Sequence, residues 1–143
     1  MIDFTVETSI ECAPGDVFDY VTDPAKLSSW QTNTVSAEQE GNGALVRGTR
    51  LREVHRAPGG RRVRSVVEVT EFEPPSRFAL HVVEGTPVDA DVSFEEIETG
   101  TLMRFRVHGR LPAPMRLAEP LLGRALRRQF TRDCETLKGL LER

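Results

Sequence analysis

Three polar residues that lie close together in the sequence have side chains suited to acid–base chemistry. Glu53 and His55 lie two residues apart on one predicted strand, and Ser65 lies on the next. A histidine exchanges protons near neutral pH, and a neighbouring carboxylate sets which ring nitrogen carries the proton. Proton transfer beside a carbonyl group is what cyclisation and dehydration require. The same side chains could instead form the polar rim of a binding pocket or a solvated hairpin end, and the sequence leaves these alternatives open.

The register of the hairpin at Pro58-Gly59-Gly60 decides whether these side chains face the interior. A three-residue loop gives the opposite pairs Ala57–Arg61, Leu51–Val67, Glu53–Ser65 and His55–Val63. One face of the hairpin is then mostly apolar, whereas a two-residue loop mixes valines and arginines on both faces. Burial of a large apolar side chain contributes about 1.5–3 kcal/mol, so the three-residue loop is favoured. The sequence therefore predicts Glu53, His55 and Ser65 as a group on the apolar face.

The hairpin at Thr99-Gly100 is interpreted in the same way. A two-residue loop there gives the inner pairs Phe94–Phe105 and Val92–Val107 and the outer pairs Asp91–His108, Ser93–Arg106 and Glu95–Arg104. Aromatic pairs on one face and opposite charges on the other are typical of a sheet with one wet face. The predicted inner residues are Ala90, Val92, Phe94, Met103, Phe105 and Val107. His81 and His108 are expected to point outward.

These hairpins belong to a predicted order of one strand, two short helices, six strands and one long helix. Residues 2–12 alternate between apolar and polar, which predicts a half-buried strand. Pro14 is expected to open the first helix, and Pro24 the second, which runs to Trp30. The later strands are predicted at 33–40, 45–57, 61–72, 77–84, 87–97 and 101–110. The alternation and turn signals indicate an α+β domain over residues 1–143, with an antiparallel sheet of about seven strands.

After Pro120 the sequence predicts a helix of about two dozen residues with one apolar stripe. The stripe consists of Leu122, Leu126, Phe130, Cys134, Leu137 and Leu141. A helix about 10 Å across cannot fill the inner face of a wide, curved sheet, so a cavity is expected between them. The predicted ligand-binding residues are Trp30, Leu51, Glu53, His55, Ser65, Val67, Leu80, Val92, Phe94, Met103, Phe105, Leu122, Leu126 and Phe130. For Trp30, a purely structural role in sealing the second helix remains the alternative.

Composition excludes several classes of function. The formal charge of −3 does not favour nucleic-acid binding, and no apolar run approaches the ~20 residues of a transmembrane helix. Cys12 and Cys134 are the only cysteines, which indicates reduced thiols in a cytoplasmic protein. The scattered histidines predict no metal site, and the absence of nucleotide-binding and hydrolase motifs predicts no cofactor. The oligomeric state, monomer or homodimer, stays open.

Two arginine clusters remain without an assigned role. One lies on the outer face of the first hairpin and the other on the last helix. Their members are Arg50, Arg52, Arg56, Arg61, Arg62 and Arg64, and Arg116, Arg124, Arg127, Arg128 and Arg132. A solvated face is the simplest interpretation, and docking of an acidic partner, a carrier protein or an anionic membrane is the alternative.

Several segments, taken in order, resemble the polyketide cyclase/dehydrase and lipid-transport family of the START-like, Bet v 1-like superfamily. They are residues 13–24, Trp30, residues 69–75, Gly100-Thr101 and residues 133–138. The resemblance implies a helix-grip fold, in which a curved antiparallel sheet wraps a long C-terminal helix around a pocket for an apolar molecule. It carries over no shared catalytic residue.

Three functions follow as hypotheses. The first is the binding of a small hydrophobic molecule, such as a lipid or polyketide, between the sheet and the C-terminal helix. The second is cyclisation or dehydration of a polyketide-like substrate, with His55 as the acid/base and Glu53 or Ser65 assisting. The third is recruitment of a protein partner through the arginine-rich faces. The residues alone do not decide whether a reaction is catalysed.

Overall fold

The computed structural model describes residues 1–57 and 59–143. Its strands are β1 (Ile2–Ile10), β2 (Thr34–Gln39), β3 (Arg50–Arg56), β4 (Arg62–Glu73), β5 (Arg77–Glu84), β6 (Val88–Ile97) and β7 (Gly100–Gly109). Its helices are α1 (Pro14–Thr22), α2 (Leu27–Trp30) and α3 (Glu119–Leu141). Short 3₁₀ segments at Pro24–Lys26 and Ala113–Ala118 lead into α2 and α3. The predicted order of elements is confirmed.

The seven strands form one antiparallel sheet in the order β1-β7-β6-β5-β4-β3-β2. The first two strands of the chain therefore form opposite edges of the sheet, and α1 and α2 connect them. The long helix α3 packs on β1. Among the described residues, no helix is both long enough and apolar enough to cross a bilayer.

Alternation in β1 determines which face of the sheet is buried. Ile2, Phe4, Val6, Thr8 and Ile10 are all buried, and the residues between them are exposed. On the outer face, Arg104 and Arg106 of β7 bind carboxylates of the neighbouring strands, including Glu7 and Asp3 of β1. The one-sided pattern that the sequence predicts is therefore present.

The core beneath α1 is aromatic. Phe18, which is fully buried on α1, lies 5.4 Å from both Phe72 and Phe94 between ring centroids, with edge-on geometry in each case. Its ring also lies 6.5 Å from that of Phe78. Edge-to-face contacts of this kind add stability beyond the burial of apolar area. They hold α1 on the inner face of β4, β5 and β6.

The register predicted for the first hairpin is confirmed. Leu51 pairs with Val67, Glu53 with Ser65 and His55 with Val63. Ala57 N–H donates to the Arg61 carbonyl at 2.7 Å, which closes the hairpin at the predicted pair. Pro58, the first residue of the predicted loop, lies outside the described residues.

The register predicted for the second hairpin is wrong by two residues. Ile97 pairs with Gly100, so the loop is Glu98-Thr99, and the inner pairs are Val92–Phe105 and Phe94–Met103. A shift of two residues leaves every side chain on its predicted face, so the hydrophobic pattern cannot distinguish the two registers. Gly100 explains the choice. A Cβ at this position would lie 2.2 Å from the Ile10 carbonyl oxygen, so Gly100 belongs to the strand packed against β1 rather than to the loop.

The strand predicted at 45–57 is too long, because β3 begins at Arg50. Gly48 has a φ of 93°, a conformation that suits glycine, and its N–H donates to the Val69 carbonyl at 2.7 Å. The chain therefore breaks from the predicted strand at Gly48, just before β3.

Candidate functional site

Strands β3 and β4 bring Glu53, His55 and Ser65 together, as their register predicts. His55 Nε2 lies 3.0 Å from Glu53 Oε1 and 3.1 Å from Ser65 Oγ. The contact of Nε2 with Ser65 has hydrogen-bond geometry, whereas Glu53 lies within ion-pair distance of the same nitrogen. Glu53 is buried and His55 is half-buried, so the imidazole is held in position while part of it stays accessible.

The other ring nitrogen of His55 faces the first residue of β2, Thr34. Nδ1 lies 3.4 Å from Thr34 Oγ1, and the buried Thr34 hydroxyl donates to Gln31 Oε1 at 2.9 Å. These five side chains, Glu53, His55, Ser65, Thr34 and Gln31, form a continuous chain of polar contacts, here called the polar network. It runs from the first hairpin to the end of α2.

An apolar cavity lies beside the polar network. Its wall comes from α1, α2, β3, β5, β6 and β7, and it includes no residue of α3. The lining residues are Val21, Thr22, Leu27, Trp30, Gln31, Leu51, Phe78, Leu80, Ala90, Val92 and Phe105. The space open to the centre of a water molecule is about 20 Å³, enough for about one water. Gln31 belongs both to this wall and to the polar network, so it connects the two.

Trp30 is the most unusual residue of the cavity wall. Its side chain is 1% exposed, and its ring meets Phe105 edge-on at 6.3 Å. Its Nε1–H has no hydrogen-bond partner among the described residues. A buried donor without a partner costs about 1–3 kcal/mol, so an acceptor that reached it would stabilise the protein.

Five of the fourteen predicted ligand-binding residues line the cavity: Trp30, Leu51, Leu80, Val92 and Phe105. Glu53, His55 and Ser65 lie in the polar network instead. Val67, Phe94 and Met103 are buried but do not line the cavity, and Leu122, Leu126 and Phe130 of α3 pack half-buried against the core.

The cavity therefore differs in place from the one expected beneath the C-terminal helix, because aromatic packing fills that space. The ring of Phe130 lies 5.1 Å from that of Phe105 and 6.3 Å from that of Phe4. The inward-facing ring of Phe94 is likewise covered, by Phe18 of α1. The cavity described above lies instead beneath α1 and α2.

Sequence reasoning missed Val21, Thr22, Leu27, Gln31 and Phe78 as lining residues. The apolar sides of the two short helices carried a signal for Val21 and Leu27, because each lies on the face turned toward the sheet. Gln31 directly follows α2, and nothing in the local pattern distinguishes it from a solvated polar residue. Ala90 was expected on the inner face but was not proposed as a lining residue.

Asp133 is a second buried polar residue that sequence reasoning missed. It is fully buried on α3, and its Oδ1 accepts from Thr32 N–H at 3.1 Å and from Thr32 Oγ1 at 2.6 Å. Oδ2 has no partner among the described residues. One turn earlier, Gln129 Oε1 accepts from Asn33 Nδ2 at 2.8 Å. These contacts fasten the segment after α2, and with it one end of the cavity wall, to α3.

The remaining titratable groups do not form a second site. His81 and His108 bind Asp89 and Asp91 on the outer side, at 2.9 and 2.8 Å. Both cysteines are free thiols, and burial raises the pKa of Cys134 to about 12. Within residues 1–57 and 59–143, no three His, Cys, Asp or Glu side chains are grouped to hold a metal ion.

A curved antiparallel sheet crossed by a long C-terminal helix, with two short helices after the first strand, defines the helix-grip class of proteins. The family described as polyketide cyclase/dehydrase and lipid transport matches residues 1–142, and the chain belongs to this family. No curated protein matches the sequence.

Solved structures share the fold at low sequence identity. The di-domain ARO/CYC protein StfQ of the steffimycin biosynthetic pathway superposes with a TM-score of 0.83 at 14% identity, over 99% of this chain and 50% of that one. BexL, a di-domain ARO/CYC protein of the BE-7585A pathway, gives 0.80 at 19%, with coverage of 99% and 50%. The protein TTHA0849 from Thermus thermophilus gives 0.72 at 22%, over 98% and 94% of the two chains.

Proposed function

We propose that the protein binds a small, largely apolar molecule that carries a hydrogen-bond acceptor, in the cavity beneath α1 and α2. The observation that carries the proposal is the unpartnered Nε1–H of Trp30 in the wall of an otherwise apolar cavity. Ligand sites are typically apolar with a few polar groups that fix orientation. The family to which the chain belongs includes lipid transport in its description.

The size of the cavity determines how such a ligand enters. Ligand pockets commonly enclose about 300–1,000 Å³, whereas this cavity has room for about one water molecule. Binding therefore requires α1 and α2 to move away from the sheet. Both helices are short and joined by the 3₁₀ segment Pro24–Lys26, and their movement would separate the ring of Phe18 from those of Phe72 and Phe94.

Trp30 is the only tryptophan of the chain, so its fluorescence reports directly on the cavity. The test titrates the protein with two molecules of equal length, a fatty acid methyl ester and the corresponding alkane. A neutral hydrogen bond contributes a net ~0.5–1.5 kcal/mol, so the ester should bind about two- to tenfold more tightly than the alkane. Both should change the emission of Trp30.

A Trp30→Phe variant provides the matched control. It retains an aromatic ring but lacks the donor, so the preference for the ester should disappear, as measured by the rise in melting temperature that each ligand produces. If neither molecule changes the fluorescence or the melting temperature, the protein has no such site. If Trp30→Phe keeps the full preference for the ester, the indole donor does not recognise the ligand.

A second candidate function is cyclisation or dehydration with His55 as the acid/base, and the polar network favours it. The network holds the imidazole between a carboxylate and two hydroxyl groups and reaches the cavity wall at Gln31. Reactions of this class need a proton donor and acceptor beside the substrate. His55→Ala should abolish turnover of a bound poly-β-ketone substrate while leaving its affinity largely intact.

His81→Ala is the control for this experiment, because His81 is an exposed histidine that also contacts a carboxylate, that of Asp89. It should leave turnover unchanged. Turnover that survives in the His55→Ala variant would remove His55 from the mechanism and leave binding alone as the function.

A further inference from the structure

The side of α3 that faces away from the core carries a line of arginines. Arg124, Arg128 and Arg132 follow one another at four-residue intervals, and Arg127 and Thr131 lie beside them. These five residues, here called the arginine face, are all exposed and line a shallow groove on the surface. Residues three or four apart lie on the same side of a helix, so the four guanidinium groups form one continuous ridge of positive charge along the groove.

The arginine face is not neutralised by the protein itself. Among the described residues, no carboxylate lies within 4.0 Å of any of its guanidinium groups, whereas Arg104 and Arg106 on the sheet each have carboxylate partners. The chain has a formal charge of −3, so with four positive charges on this face the rest carries −7. This separation of charge orients the molecule with α3 toward a negatively charged surface.

Large apolar side chains are exposed at the end of the same ridge. Met115 is 53% exposed, Leu117 is 95% exposed and Leu121 is 71% exposed. These three residues are here called the apolar tip. Leu121 precedes Arg124 by three residues and Arg128 by seven, so it lies on the same side of α3 as the arginine face. Leu117 lies one turn earlier, in the 3₁₀ segment Ala113–Ala118.

We propose that the arginine face and the apolar tip dock the protein on an anionic lipid bilayer. The guanidinium groups bind lipid phosphates, and Leu117 and Leu121 enter the region of the acyl chains. A bilayer presents negative charge at its surface and an apolar layer beneath it, which matches the presence of both kinds of group on one side of α3. An acidic protein partner would account for the arginines but not for the exposure of Leu117 and Leu121. This inference does not depend on the proposed ligand.

The test is co-sedimentation of the full chain with vesicles of phosphatidylcholine alone or of phosphatidylcholine mixed equally with phosphatidylserine. Binding should require phosphatidylserine and weaken as salt is added. Each arginine near a membrane surface contributes about 1 kcal/mol, so Arg124→Glu with Arg128→Glu should weaken binding at least about tenfold. Leu117→Ser with Leu121→Ser should also weaken binding measurably, because inserted apolar area is lost.

Arg62→Glu with Arg64→Glu is the matched control. It makes the same change in net charge at two exposed arginines of β4 that have no carboxylate partner among the described residues. This variant should bind within about twofold of the wild type, and melting curves should show that all three variants fold.

Four results would overturn the proposal: no binding to phosphatidylserine vesicles at low salt, equal binding to phosphatidylcholine alone, an equal loss in the control variant, or full binding by the Leu117→Ser/Leu121→Ser variant. The last result would exclude insertion and favour an acidic protein partner instead.

Discussion

Replacement of Leu51 by alanine tests whether the cavity beneath α1 and α2 exists in solution. Leu51 is 1% exposed and lines the cavity, whereas Leu137 of α3 is 0% exposed and does not line it. Leu→Ala replacements in cores cost about 2.7–5 kcal/mol, and the cost is smaller where the removed atoms made fewer contacts. Because Leu51 already borders empty space, its three carbon atoms have fewer neighbours to lose than those of Leu137.

We therefore expect Leu51→Ala to lower the free energy of unfolding by about 2–3 kcal/mol and Leu137→Ala by about 4–5 kcal/mol. In a chain of this length, about 1 kcal/mol corresponds to ~2–4 °C of melting temperature. The two variants should thus differ by roughly 4–8 °C, as measured by circular dichroism, and urea unfolding should give the same order.

Equal costs for Leu51→Ala and Leu137→Ala would refute the reasoning, because they would mean that Leu51 is as tightly packed as Leu137. A larger loss at Leu51 would also refute it. The comparison does not require the ligand to be known, so it separates the existence of the cavity from the identity of its occupant.

Three further predictions test the fold around the site. Alkylation of the native protein at pH 8 should modify Cys12 but spare Cys134 until the protein unfolds. A thiol with a pKa of about 12 is only ~1 part in 10⁴ thiolate at that pH, and the thiolate is the reactive form. Peptide mass spectrometry would show which cysteine is modified. Hydrogen bonds from Arg106 lower the pKa of Asp3 below its ordinary value of 3.8, so Asp3→Asn should lower the melting temperature at pH 7. The difference in melting temperature between variant and wild type should shrink as the pH falls below 3.8, because the Asp3 carboxylate is then protonated. A difference that stays constant with pH would contradict this ion pair. Gly139 lies in open space on α3, so Gly139→Ala should stabilise the protein by about 0.5–1 kcal/mol. Gly100→Ala should instead prevent stable folding, because its Cβ would overlap the Ile10 carbonyl. A melting temperature that falls for Gly139→Ala, or stays unchanged for Gly100→Ala, would contradict these surroundings of the two glycines.

Sequence patterns predicted the elements well where burial distinguishes the alternatives. A one-residue slip of the first hairpin would have mixed valines and arginines on both of its faces, so the grouping of Glu53, His55 and Ser65 could be predicted. The two-residue shift of the second hairpin changes no face, and only the close approach of Gly100 to β1 fixes it. That contact joins residues far apart in the chain, which a local pattern cannot reveal.

The position of the cavity was less predictable for a related reason. The apolar stripe of α3 indicates that the helix covers the sheet but not how completely its side chains fill the space beneath. That depends on the ring of Phe130 meeting those of Phe4 and Phe105, three residues from three different elements. The position of Gln31 and Trp30 in the cavity wall likewise depends on the contact between Thr32, which follows α2, and Asp133 of α3.

The pairing of β1 with β7 has a consequence for synthesis on the ribosome. Ile2 lies opposite Gly109, so the first strand emerges about a hundred residues before its partner exists. Contacts between such distant residues form late, since a long loop must first be closed. Until β7 and α3 have been synthesised, the apolar residues of β1 therefore lack both their strand partner and the covering helix. During that interval the apolar side chains of β1 are exposed and favour aggregation.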